Sequence, residues 1–173
     1  MTHLTVAGHL SVFPPFNAAE FEYLMGFSKV RHHAGHTDPY DVPGFPRQDS
    51  HDGHGEAYNE PWCGQPGLWC PWEPSCAGSC LVLVVKDKVW APVPWLQYLV
   101  DHFLTPASFA RRTNRRDFDD FTFDHELRGA VAMFAGETGG LSLVRVVDGD
   151  VKAESTWAGD RVVGWDVLGE NGL

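Results

Sequence analysis

The stretch from Pro92 to Pro106 constrains the fold more than any other part of the chain. Pro94 suits the first turn of a helix, where the missing N–H of proline costs nothing. Trp95, Leu96, Leu99, Val100 and Phe103 then recur at three- and four-residue intervals and lay a broad apolar stripe along one side. Pro106 stops the helix and biases Thr105 away from helical geometry. A helix this apolar must lie on something, and the strand-like runs around it supply the surface.

Leu4, Val6, Leu10 and Val12 share one parity, which predicts a half-buried strand, with Gly8 marking a bulge or a close approach. Pro14-Pro15 ends it. Asn17 and Glu20 are spaced as a capping box, flanked by Phe16 and Phe21 as a hydrophobic staple. The helix they open is expected from about Ala18 to Met25, burying Phe21, Leu24 and Met25 and ending near Gly26. Further on, Gln65-Pro66-Gly67 reads as a turn, Leu68 to Glu73 as an edge strand because of Pro71, and Leu81 to Val85 as a strand buried on both faces. After the central helix, Leu127 to Ala135, Leu141 to Val147 and Val151 to Ser155 alternate as strands joined by Gly-rich turns. Val162 to Leu168 is a candidate for another. The expected fold is α+β: an antiparallel sheet with two helices on one face, in the order β-α-β-β-α-β-β, which suits a ferredoxin-like arrangement.

A chain of 173 residues has room for one domain with a real core, and we read residues 1–173 as one. Between Arg31 and Gly67 the composition shifts to Gly, Pro, His and Asp, which predicts a long loop-rich insertion outside the core. The formal net charge of -10 disfavours broad nucleic-acid binding, which requires neutralising phosphates. No apolar run is long enough to span a bilayer, and no signal peptide is legible, so a cytoplasmic protein is expected.

Two strings carry a resemblance. Gln65-Pro66-Gly67-Leu68-Trp69-Cys70-Pro71-Trp72 and Trp95-Leu96-Gln97-Tyr98-Leu99-Val100-Asp101-His102-Phe103-Leu104 resemble a QPxLWCxW strand and a WLxYLIxxFL helix. These occur in a loose set of small uncharacterised proteins of actinobacteria and their phages. Leu127-Arg128-Gly129-Ala130-Val131 matches the strand that follows in that set. The resemblance implies a similar fold and a phage or actinobacterial origin. It carries no activity and therefore no site residue.

Three kinds of chemistry are open to these residues. Cys63, Cys70, Cys76 and Cys80 lie in one segment, and His51 and His54 stand nearby, a donor set that zinc would accept, although no CxxC pair is present. Buried thiols and a solvated His-rich loop are the alternative. The Asp49–Glu56 run gathers acids, imidazoles and a hydroxyl, as a hydrolase-type enzyme would need, but no nucleophile elbow, phosphate loop or zincin helix accompanies it. Tyr58, Trp62 and Trp72 could anchor an interface, and Arg111, Arg112, Arg115 and Arg116 could meet an acidic partner, unless the following aspartates neutralise them. His102, inside the central helix, reads as structural. The reading favoured is a non-catalytic accessory protein that binds a host or phage protein, without cofactor. A zinc protein or an enzyme built on the His/Asp-rich insertion is the alternative.

Overall fold

The computed structural model describes residues 4–42, 56–85, 91–136 and 139–156. Six strands form one antiparallel sheet: β1 (Leu4–Phe13), β2 (Trp72–Ser75), β3 (Cys80–Leu83), β4 (Glu126–Ala135), β5 (Gly140–Val147) and β6 (Asp150–Thr156). Helix α1 spans Ala18–Lys29 and α2 spans Pro92–Leu99. The sheet order is β2-β3-β1-β4-β5-β6, with every neighbouring pair antiparallel. The first four strands and two helices thus follow the split β-α-β-β-α-β pattern of ferredoxin-like folds. β5 and β6 extend it as a meander. The expected α+β class holds. Val162 to Leu168 lies outside the described residues.

The two-residue strand period sorts the sheet into two faces. Trp72, Leu81, Leu83, Leu10, Val12, Leu127, Val131, Met133, Val144 and Val146 point to one face and are buried with Tyr23, Leu24 and Phe27 of α1 and Trp95, Leu96 and Leu99 of α2. Both helices therefore cover the same face. α2 touches both edge strands, β2 and β6.

Local chemistry explains where elements start and stop. Asn17 accepts the Glu20 N–H at 3.0 Å, and Glu20 Oε2 accepts the Asn17 N–H at 2.8 Å, completing the predicted capping box. α1 runs through Gly26 to Lys29, longer than expected, because Phe27 and Ser28 are buried and hold the last turn in the core. Phe21 and Met25 are only half-buried; Tyr23 and Phe27 do the packing instead. β2 begins at Trp72 rather than Leu68. Leu68 O accepts the His32 N–H at 2.8 Å, which ties that segment to the loop instead of the sheet. α2 continues as a π-helical turn over Val100–Leu104 before Thr105 turns extended. The wider turn shifts the helix phase, so Phe103 and Leu104 are both buried.

The insertion is not wholly outside the core, contrary to expectation. Tyr40 and Val42 join the core, and His32 and His33 are buried. The His32 ring lies 4.2 Å from Phe27 and 5.1 Å from Trp95, and its Nε2–H donates to Phe27 O at 2.9 Å. Apolar residues are sparse here, but a few rings bury as much surface as a longer aliphatic run. The same holds for the polar stretch after α2, which places Phe118, Phe121 and Phe123 in the core.

A buried ion pair joins these parts. Glu20, 1% exposed, accepts from the Thr122 N–H at 2.6 Å and the Thr122 hydroxyl at 2.9 Å, and its Oε1 lies 3.1 Å from His125 Nε2. His125 Nδ1–H donates to Pro14 O at 2.7 Å. Burial alone would raise the Glu20 pKa, but the bonds from His125, Thr122 and Asn17 outweigh it and hold the carboxyl down at about 2. Burial disfavours the imidazolium of His125, yet its bond to Glu20 wins and the pKa rises. Glu20 therefore contributes stability above pH 4.5 that is lost as pH falls toward 2. His125 contributes stability below pH 6.5 that is lost as pH rises through its elevated folded value. His102 acts oppositely: burial lowers its pKa from 6.5 to about 4, so it subtracts stability as pH falls between those values. Urea denaturation should thus show greatest stability near pH 6.5, with losses on both sides. Glu20→Ala should cost about 3–5 kcal/mol by leaving His125 unpaired.

Candidate functional site

The structure disperses most of the residues singled out from the sequence. Trp72 is 1% exposed and its Nε1–H donates to Pro92 O at 2.7 Å. It is a core residue under α2, not an interface anchor. Trp69, three residues earlier, is half-buried. Tyr58 is exposed, but the Arg31 guanidinium stands 4.4 Å from its ring and the His33 ring 4.9 Å away. Arg31 also donates to Tyr58 O and Asn59 Oδ1, so this corner is tied together internally. Trp62 is half-buried; its N–H donates to His32 O and its carbonyl accepts from the Gln65 N–H.

The arginine cluster is likewise engaged. Arg115 pairs with Asp38 at 2.5 Å, Asp117 at 2.6 Å and Asp41 at 3.5 Å. It thereby clamps the start of the insertion onto the segment before β4. Arg111 donates to Pro106 O and Arg112 to Ala107 O, closing the turn after α2. Arg116 is exposed. A cavity of about 260 Å³ beside Arg111, Arg115, Phe118 and Phe121 is smaller than the usual range for ligand pockets.

The four cysteines do not gather into a metal set. Among the described residues no three His, Cys, Asp or Glu side chains converge on a point where a metal could sit. Cys70 is buried with its Sγ 3.8 Å from Trp72 O; Cys76 and Cys80 share a thiol–thiol hydrogen bond in the β2–β3 turn; Cys63 is exposed. Turn geometry and strand packing separate Cys70 and Cys63 from the other two. His51 and His54 lie outside the described residues, as does most of the Asp49–Glu56 run.

His102 sits in the π-helical turn. Its ring stacks on Tyr98 with centroids 3.7 Å apart, and its Nδ1 shares a 2.7 Å hydrogen bond with Tyr40 Oη. Burial pushes the Tyr98 phenol well above its usual value and Tyr40 up to about 12. Neither phenol ionises near neutrality and the imidazole stays uncharged. π-Turns often mark functional positions, but this one packs an aromatic stack outward to Phe109, 4.9 Å away.

What remains is the second face of the sheet, which carries no helix among the described residues and which no motif announced. Cross-strand register sets Ala7, Ala132 and Leu143 side by side, and beside them Thr5, Phe134 and Leu141. Phe134 is 45% and Leu141 42% exposed; Phe13 and Val147 are exposed at the far end of the same face. Arg145, Lys152 and Glu154 border the apolar zone, with Arg145 and Glu154 ion-paired to each other. A signal was present in the sequence: β4 carries Ala130, Ala132 and Phe134 on the parity opposite to Val131 and Met133. A strand with apolar residues on both parities is not a simple one-sided strand. Among the described residues no helix is long and apolar enough to cross a membrane.

In comparison with known proteins, no family model, no curated protein and no solved structure matches the chain.

Two measurements check these placements. Thiol titration of the folded protein should detect Cys63 and Cys76 quickly, and Cys70 and Cys80 only after denaturation. Arg115→Met should lower the thermal midpoint by several degrees, whereas Arg111→Ala, Arg112→Ala and Arg116→Ala should each shift stability by less than about 0.5 kcal/mol.

Proposed function

We propose that this is a non-catalytic accessory protein that acts by binding another protein through the helix-free face of its sheet. The observation that carries the reading is the exposure of Phe134 within a contiguous apolar zone on that face. Scattered apolar residues on a surface need no explanation, but aligned ones across three strands do. The zone is bordered by charges of both signs, the pattern of an apolar centre with a polar rim. Phosphate backbones are a poor match for a chain of net charge -10. The resemblance of the two tryptophan-bearing strings supports a phage or actinobacterial setting, with a host or phage protein as partner in the cytoplasm.

The test uses a surface variant with the core intact. Phe134→Glu/Leu141→Glu should fold with a thermal midpoint within a few degrees of the parent, since both positions are exposed. A partner captured from host lysate by the parent, and by an Arg111→Ala/Arg112→Ala control, should be lost from this variant. Undiminished capture by the glutamate variant would overturn the reading.

A further inference from the structure

β1 has two sides, and the described residues fill only one of them along its whole length. Toward β4 it is paired along its whole length, from Leu4↔Ala135 to Phe13↔Glu126. Toward β3 it is paired only at Leu10 and Ser11, with Val12 N–H reaching Ser79 O. β3 runs no further than Leu83 as a strand, and none of the described residues takes its place beside Leu4–His9. A strand that is central in the sheet order is thus, among the described residues, an open edge over six residues.

The parity of that edge is fixed. Val12 directs its N–H toward the β3 side, and the two-residue period makes Leu4 and Val6 do the same. Their backbone donors and acceptors therefore face the gap. The side chains agree. Leu4 and Val6 point to the core face yet are only half-buried, while Leu10 and Val12, where β3 is present, are buried. Thr5, Ala7, Gly8 and His9 are exposed.

The other two edges of the sheet are blunted in familiar ways. β2 is short and contains Pro74; β6 carries Asp150, Lys152 and Glu154. The Leu4-Thr5-Val6-Ala7-Gly8-His9 run has no proline, no Lys, Asp or Glu, and apolar residues at its core-facing positions. An unprotected edge of this kind is an aggregation hazard unless something occupies it.

We infer that the gap beside Leu4–His9 is a strand-addition site for an extended segment of a partner protein. An unfilled ladder specifies its occupant: only extended backbone offers donors and acceptors at the spacing that Leu4 and Val6 present. Six residues span about 20 Å, enough for a short peptide. Alternate apolar side chains on the segment would cover Leu4 and Val6, and the acidic net charge favours basic flanks. An added strand would also widen the face that holds Ala7 and Phe134 by one more row. The inference rests on the protein-binding reading and names its mode.

The probe is the fluorescent peptide Lys-Val-Thr-Val-Thr-Val-Lys, with two N-methylated versions that block alternate amides in opposite phases. Binding should slow amide exchange at Leu4 and Val6 by at least about tenfold. One methylation phase should lose about tenfold or more in affinity, and the other should bind like the parent peptide, because only one row of amides meets β1. Equal loss in both phases, protection on β6 instead, or no protection at β1 overturns the inference. So does slow exchange of Leu4 and Val6 in the free protein: if independent of concentration, the chain fills its own gap; if growing with concentration, a second copy does. The Phe134→Glu/Leu141→Glu variant keeps the β1 edge and should still bind the peptide. Failure at β1 with lysate capture still dependent on Phe134 would leave the face reading standing and remove only strand addition.

Discussion

The buried carboxylate of Glu20 is the constraint on which the architecture depends. Removing a charge from water costs several kcal/mol unless its lone pairs are filled. Here they are filled from three directions: the Asn17 N–H from its own helix cap, Thr122 from the segment before β4, and His125 from the same segment. His125 in turn holds Pro14 O at the end of β1. One side chain therefore fixes the exit of β1, the start of α1 and the approach to β4. Those are the positions that decide whether β1 and β4 pair in register. Neither partner can be neutralised or removed without leaving the other buried and unmatched.

The upper part of the core is aromatic rather than aliphatic. Tyr23, Phe27, Tyr40, Trp95, Tyr98, Phe103, Phe118 and Phe121 pack with tilted and edge-on geometries between α1, α2 and the loops. Large rings let irregular segments share a core with regular ones, because a single anchor such as Tyr40 fills the space of several aliphatic residues. Arg115 then holds the start of the insertion in place by pairing with Asp38 and Asp41. Regular sheet on one side and ring-anchored loops on the other leave the second face of the sheet uncovered by any described residue.

The regular parts of the fold were legible in the sequence for simple reasons. The strands β4, β5 and β6 show alternation and Gly-bearing turns, and Asn17 with Glu20 spelled out the cap. What the sequence concealed was long-range. Glu20 looks like an ordinary capping residue until Thr122 and His125 arrive from about a hundred positions away. Tyr40 and Phe118 stand in stretches whose composition is polar, and no window average can detect a lone ring that will be buried. Trp72 reads from the sequence as an interface anchor, and only the seating of α2 on it shows it to be core. The open sheet face and the unfilled side of β1 were hidden for another reason: they depend on which strands fail to meet, and a sequence pattern records only the strands that exist.

The placement of β1 also has a consequence for biosynthesis. It is made before the other described elements, yet its full-length neighbour β4 begins more than a hundred residues later. At ordinary translation rates of about 5–20 residues per second, its Leu–Thr–Val–Ala run waits on the order of ten seconds with neither flank covered. The nascent chain thus has its most adhesive segment on display longest, and whatever shields it then must let go when β4 emerges.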